Sequence, residues 1–252
     1  MDLRVKDKTV LITGSSNGLG KAIAIEYAKE GANVVISSRN EENLKDAKKD
    51  IIALTANEHV HYVVCDTADD HSLINLVDET VNQFGSLDIV VNSTGGPPAG
   101  SLFDIEDETW MQAINQLLLS VIRLTKYTLP HMEKQGAARF VNITSTSIKA
   151  PLPHLMISNT LRPAIWGFTK DMAREYAEQN IFFNTVGPGS IATDRVAHLN
   201  KVNAEKQAIP YETFVEQRKS KIPIKRFAEP DEFARSVLFF GSFANSYITG
   251  QT

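Results

Sequence analysis

The sequence predicts an α/β fold: a Rossmann-type, doubly wound parallel sheet with helices on both faces, in one domain spanning residues 1–252. Three observations predict it. Short, continuously apolar runs alternate with longer stretches of helical periodicity. A glycine-rich turn separates the first apolar run from the first helical stretch. No internal repeat, low-complexity tract or Pro/Gly linker divides the chain. At 42% hydrophobic residues, it can bury a sizeable core.

The elements follow in order. Residues 9–12 (Thr9-Val10-Leu11-Ile12) form the first strand candidate, and 33–37, 60–64, 88–91, 139–143 and 181–186 the next five. Strands buried on both faces read as unbroken apolar runs, and these do. Between the first two, residues 19–28 place apolar groups on one stripe of a helix. The stretch 161–176 does so more clearly, with Leu161, Ile165, Phe168, Met172 and Tyr176 every three or four residues. Strand-helix-strand alternation requires right-handed crossovers. An irregular stretch runs from about Ala192 to Pro223, broken by a polar, helix-like run at 211–220. A segment this long before the next core helix is read as a substrate lid at 194–222.

Composition excludes several classes. The net charge is −4 and no basic footprint is present, so nucleic acid is not an expected partner. No apolar run approaches the ~20 residues that span a bilayer. The charged N-terminus lacks an apolar signal core, so no membrane association and a cytoplasmic location are expected. The single cysteine, Cys65, follows Val63-Val64 and reads as a buried strand residue in a reducing compartment. His59, His61, His71 and His131 show no ligand spacing, and no metal is expected.

Thr13-Gly14-Ser15-Ser16-Asn17-Gly18-Leu19-Gly20 follows the first strand and opens the first helix. Glycines let the backbone turn sharply and approach a pyrophosphate, while the helix N-terminus offers free N–H groups and a partial positive charge. Gly14, Ser16, Asn17, Gly18, Leu19 and Gly20 are therefore candidate cofactor-binding residues. The second strand ends at Ser38-Arg39, ~20 residues beyond the glycines, where a dinucleotide's adenosine ribose belongs. An acidic residue there would bond a 2′-hydroxyl and repel a 2′-phosphate. Arg39 instead suits a phosphate, so NADP(H) is expected in preference to NAD(H), with NAD(H) still possible. The loop Gly95-Gly96-Pro97-Pro98-Ala99-Gly100 follows the fourth strand at its C-terminal end, the ligand side of an open α/β sheet.

With these residues in place, the chain resembles the short-chain dehydrogenase/reductase family over nearly its whole length. The glycine turn resembles the family's cofactor turn. Asp66 matches a residue that contacts the adenine, and Asn92-Ser93-Thr94-Gly95 stands where the family has Asn-Asn-Ala-Gly. Pro188-Gly189, with Ile191 and Thr193, resembles the nicotinamide-side loop. Residues 225–232 and 248–251 resemble the C-terminal signatures. The resemblance implies a reductase working on a small-molecule carbonyl or alcohol, and assembly as a homodimer or homotetramer through helices near 107–134 and 155–179.

The family's catalytic set is Asn, Ser, Tyr and Lys. Tyr and Lys stand four residues apart, with Ser thirteen before Tyr. The same spacings link Ser145, Ser158 and Arg162, so Ser158 occupies the Tyr position and Arg162 the Lys position. The Asn position falls on Leu117, with Asn115 two residues away. Serine is a far weaker acid than tyrosine (pKa ~10), and arginine holds its proton to pH ~12. Ser145, Ser158 and Arg162 are thus candidate catalytic residues of an altered set. Arg162 is also expected at the cofactor ribose. His154, Lys149, His198 and Tyr211 are alternative proton carriers or cations. Pro163 implies that the helix starts late, near residue 161 or 162, or else bends there. Two functional readings follow: an NADP(H)-dependent oxidoreductase with a rearranged proton donor, or a nucleotide-binding sensor, scaffold or regulatory subunit without redox chemistry.

Overall fold

The computed structural model describes residues Met1–Thr252. Six parallel strands form one sheet: β1 (Thr9–Thr13), β2 (Asn33–Ser38), β3 (Val60–Val64), β4 (Ile89–Asn92), β5 (Ala138–Ile143) and β6 (Ile181–Val186). Their spatial order is β3-β2-β1-β4-β5-β6. The chain winds outward from β1 in one direction, then returns and winds from β4 in the other. The order therefore reverses between β1 and β4, which leaves a crevice at their C-terminal ends. All six expected strands are present; β1, β2, β4, β5 and β6 are almost wholly buried, while β3, at the sheet edge, is partly exposed.

The helices cover both faces: α1 (Gly18–Lys29), α2 (Glu41–Thr55), α3 (Asp70–Phe84), α4 (Asp107–Ala113), α5 (Ser120–Glu133), α6 (Met156–Tyr176), α7 (Asp194–Lys206), α8 (Tyr211–Ser220) and α9 (Pro230–Phe240). One core cluster lies on the α1/α2/α9 side and holds Ile12, Ile23, Tyr27, Ile36 and Val237. A second lies on the opposite side around Leu11, Leu76, Phe140 and Phe183, where the last two rings stack 4.2 Å apart. Alternate residues of each strand feed the two clusters, as the two-residue period of a strand requires.

Two expectations are corrected here. The segment after Ala192 is not irregular: residues 194–206 form α7. Its sequence shows no apolar stripe because only Asn200 and Ala204 are buried, so periodicity carried no signal. What starts it is chemistry at the end, with the Thr193 side chain accepting from the Val196 N–H and Asp194 in the first turn. The second concerns α6: of the two outcomes Pro163 allowed, the late start is overturned, because the helix begins at Met156 and runs on through the proline. Pro163 sits inside it. The Asn159 side chain receives the Leu152 N–H and donates back to the Leu152 carbonyl, which ties the helix start to the preceding loop. The stripe read from the sequence is also rotated. Leu161 and Ile165 are buried, but the buried face continues through Thr169 and Ala173, leaving Phe168, Met172 and Tyr176 half-exposed.

Cys65 is 2% exposed, directly after β3, as expected. Burial raises its thiol pKa to about 12, with Asp66 and Asp69 adding to the effect. Cys65 is expected to resist a thiol-specific disulfide reagent at pH 8 in the native protein and to react once unfolded in urea; fast stoichiometric labelling of native protein would contradict the burial.

Candidate active site

The crevice at the sheet's reversal is a cavity of about 540 Å³. That lies within the range of small-molecule sites. Its two ends are chemically different. The first is built from the turn between β1 and α1. Gly14 has φ +57°, and a Cβ there would run into the Ser93 carbonyl. Gly18 also has positive φ (+54°), but nothing lies within 4 Å of where its Cβ would stand, so that space is open toward the cavity. The α1 N-terminus has no side-chain cap and no acidic residue in its first turn. By contrast, α2 is capped by Asn40, α3 by Asp69 and α7 by Thr193. The free N–H groups of α1 thus face a cavity with their partial positive charge uncompensated.

Beyond this turn, Arg39 lines the cavity from the exposed end of β2, with no acidic partner. Asp66 lines it from the end of β3, its carboxylate receiving the Ala68 N–H at 3.0 Å.

The other end is built from β5, α6 and the loop after β6. Ser145 caps a short 3-10 turn, its hydroxyl accepting from the Ser147 N–H at 3.1 Å. Ser158, in the first turn of α6, stands with its hydroxyl 3.5 Å from that of Ser147. One turn on, Arg162 is only 5% exposed. Its Nη1 donates to the Ile143 carbonyl at 2.8 Å and its Nη2 to the Gly95 carbonyl at 3.4 Å, while Nε has no partner. Burial, and then the nearby charge of Arg195, lowers its pKa to about 10, so it stays charged at neutral pH. The Thr144 hydroxyl, also lining the cavity, is a second buried polar group without a partner. A polar ligand in the cavity would supply partners for both groups.

Of the expected site residues, Gly14, Ser16, Asn17, Gly18, Leu19, Gly20, Arg39, Asp66, Gly95, Ser145, Ser158, Arg162, Pro188, Gly189 and Thr193 all line this one cavity. Two do not. Asn92 is 2% exposed and turned into the sheet. It donates to Asn142, which donates to Thr169 on α6. This buried chain ties β4, β5 and α6 together and so holds Ser158 and Arg162 at the cavity, without touching it. Ile191 belongs to the hydrophobic core and bridges to Ala228, since its backbone continues the packing rather than the site.

The alternative proton carriers lie elsewhere. His154 is exposed, in a left-handed backbone conformation, with Nδ1 3.2 Å from the Ser101 hydroxyl. Lys149 is exposed over the Trp166 ring. Neither of them, nor His198 or Tyr211, lines the cavity.

Sequence reasoning missed one lining residue in the Asn region. Residues Ile114–Leu119 form a π-helical turn between α4 and α5. Leu117 points into a small cluster with Ala113, Ile157 and Leu161. Asn115 is held away, donating to the Ala68 carbonyl and accepting from Arg123. The residue that the π turn presents to the cavity is Gln116. Such turns recur at functional sites because they swing a side chain out of helical register. Its signal in the sequence is a pair of amides, Asn115-Gln116, set between apolar residues.

Residues 14–252 match the family model described as enoyl-(acyl carrier protein) reductase. The chain is 32% identical to 3-oxoacyl-[acyl-carrier-protein] reductase FabG of Thermotoga maritima, covering 99% of this chain and 96% of that protein. It is 34% identical to dehydrogenase/reductase SDR family member 4 of Bos taurus, covering 98% and 85%. The chain belongs to the short-chain dehydrogenase/reductase family. Among solved structures, L-sorbose reductase from Gluconobacter frateurii, complexed with NADPH and L-sorbose, superposes with a TM-score of 0.94 at 29% identity, over 100% of this chain and 95% of that one. The family's doubly wound sheet is therefore the fold described above. No helix is long and apolar enough to cross a membrane, and no group of His, Cys, Asp or Glu is arranged to hold a metal.

Proposed function

We propose that this family member is an NADP(H)-dependent oxidoreductase acting on a carbonyl/alcohol pair, with Ser158 and Arg162 where the family has Tyr and Lys. The observation that carries it is the single cavity joining the uncapped glycine turn and Arg39 at one end to Ser145, Ser158 and Arg162 at the other. The residues fit a dinucleotide. The α1 N-terminus and Gly18 would take the pyrophosphate, Arg39 the 2′-phosphate, Asp66 the adenine, and the free Arg162 Nε a ribose hydroxyl. The NADPH held by the L-sorbose reductase supports the same choice.

When bound, reduced nicotinamide supplies a hydride to the substrate carbon. The chain's own residues must then deal with the substrate oxygen. The Ser145 and Ser158 hydroxyls donate hydrogen bonds to it, and the Arg162 charge stabilises the negative charge that develops there. Arg162 does not relay the proton. The weaker Ser158 acid predicts a low turnover, because a positioned acid contributes about 10²–10⁴-fold. A nucleotide-binding regulator without redox chemistry is the second reading, favoured by that same serine. NADPH consumption over a panel of ketones, aldehydes and oxo acids separates the two. Slow but saturable oxidation supports the enzyme, and tight coenzyme binding with no turnover supports the regulator.

Homodimer or homotetramer assembly belongs to the same proposal: Met111, Leu118, Leu119, Ile122 and Trp166 leave apolar surface on the π turn and α4–α6. Light scattering checks it, a monomer being the contrary result.

Arg39→Ala tests the coenzyme choice. Arg39 holds no partner, so its removal orphans nothing in the fold. Loss of a charge-assisted bond to phosphate is expected to weaken NADPH by about 10–100-fold. NADH should change far less in the same fluorescence titration. Equal losses for the two coenzymes would refute the 2′-phosphate role.

A further inference from the structure

We infer that the substrate carries an oxyanion, a carboxylate or phosphate, near its reacting carbonyl, and that Arg195 of α7 grips it. This rests on the oxidoreductase reading above and names its substrate class.

Arg195 stands in the first turn of α7 and lines the cavity. It has no carboxylate within ion-pair distance, although Asp194 is its neighbour. Its guanidinium rests on the loop after β4, with Nη1 3.3 Å from the Gly96 carbonyl and Nη2 3.5 Å from that of Pro97. Gly96, which has no side chain, leaves the space beside it to the guanidinium. The preceding carbonyl, Gly95, receives Arg162. Two guanidinium groups therefore flank consecutive residues of one loop, at the end of the cavity that holds Ser145 and Ser158. Arg162 is nearly fully buried, and its Nε–H is the group assigned above to the coenzyme ribose, so it contributes charge here rather than a direct bond. The cavity's acidic side chains are Asp66, at the far end, and the exposed Asp194. Arg162 is anchored on the Ile143 carbonyl at 2.8 Å, whereas Arg195 has only long carbonyl contacts, and an anion settling beside both would relieve the repulsion between them. Arginine's planar fork matches carboxylate and phosphate oxygens.

The test uses the full-length protein and matched pairs. 2-Oxobutanoate, acetoacetate and levulinate are compared with their methyl esters, and dihydroxyacetone phosphate with dihydroxyacetone. kcat/KM is expected to favour the charged member by about 30-fold or more. In Arg195→Met that preference should collapse toward unity through KM, and Arg195→Lys should restore part of it. Coenzyme affinity of each variant is measured separately by NADPH fluorescence. Carboxylate-only or phosphate-only preference identifies the source of the oxyanion. Equal use of charged and uncharged partners, or an Arg195→Met defect confined to NADPH affinity, would overturn the inference. If nothing is turned over, the oxidoreductase reading fails on its own. Calorimetric titration of the NADP⁺-loaded protein with the same oxo acids and esters still decides: tighter binding of the acids, lost in Arg195→Met, upholds the oxyanion site, and its absence removes it.

Discussion

Ser158→Tyr combined with Arg162→Lys is expected to raise the reductase rate by about 10²–10⁴-fold, the contribution of a positioned general acid. The geometry permits it. Ser158 lies in the first turn of α6 at the cavity wall but is only 6% exposed, with its hydroxyl against that of Ser147, so a larger ring must turn from that contact toward the cavity. Arg162 sits one turn further on the same face, where a lysine ammonium could lower the pKa of the new phenol from ~10 toward neutrality. The cost lies at the Ile143 and Gly95 carbonyls, which would lose the arginine bonds that now tie α6 to β5 and to the loop after β4. The single variants separate the effects. Ser158→Tyr alone should gain part of the rate, because Arg162 still supplies positive charge. Arg162→Lys alone should gain nothing. The measurement is NADPH oxidation against the carbonyl panel. A folded double variant that binds coenzyme but is no faster than the parent would show that Ser158 is not the deficient acid.

Gly14→Ala is expected to cost about 2–5 kcal/mol of stability, combining left-handed backbone strain with overpacking. Gly14 has φ +57°, which disfavours any side chain, and its new Cβ would press on the Ser93 carbonyl. That carbonyl cannot easily retreat. It accepts from the Thr13 hydroxyl at 3.1 Å, and the Ser93 N–H donates back to the same hydroxyl at 2.9 Å. The clash therefore pushes apart the ends of β1 and β4, where the phosphate-binding turn begins. Coenzyme binding should fall with it. Gly18→Ala is the control: its φ is also positive, but no atom stands in the way, so only the strain of about 1–2 kcal/mol is expected. Urea unfolding of the two variants checks this, and equal losses would mean that the Ser93 contact contributes nothing.

The sheet was legible because its central strands are buried on both faces and leave mostly apolar runs, while the edge strand β3 is marked by its β-branched residues. The glycine turn was legible because few sequences can make that backbone. Helix α7 was not, since it buries almost nothing and is set by its Thr193 cap. The start of α6 was obscured by Pro163, whose local cost is outweighed by packing through Ile157, Leu161 and Ile165. Asn92 and Ile191 were placed at the site by their motifs, but period-two geometry and core packing turn them inward. Gln116 was hidden by a π turn that shifts the helix register, and Arg195, though inside the segment read as a lid, was not singled out because its helical setting was missed. The chemistry at the end of each strand was easier to read than the chemistry brought in by the helices that pack above it.

Calorimetric titration of the folded wild-type protein with NADPH and NADH tests the central claim most directly. Saturable one-site binding is predicted, with NADPH tighter than NADH by about tenfold or more through Arg39. Absence of heat with either coenzyme, on protein shown to be folded by a cooperative urea transition, would contradict it.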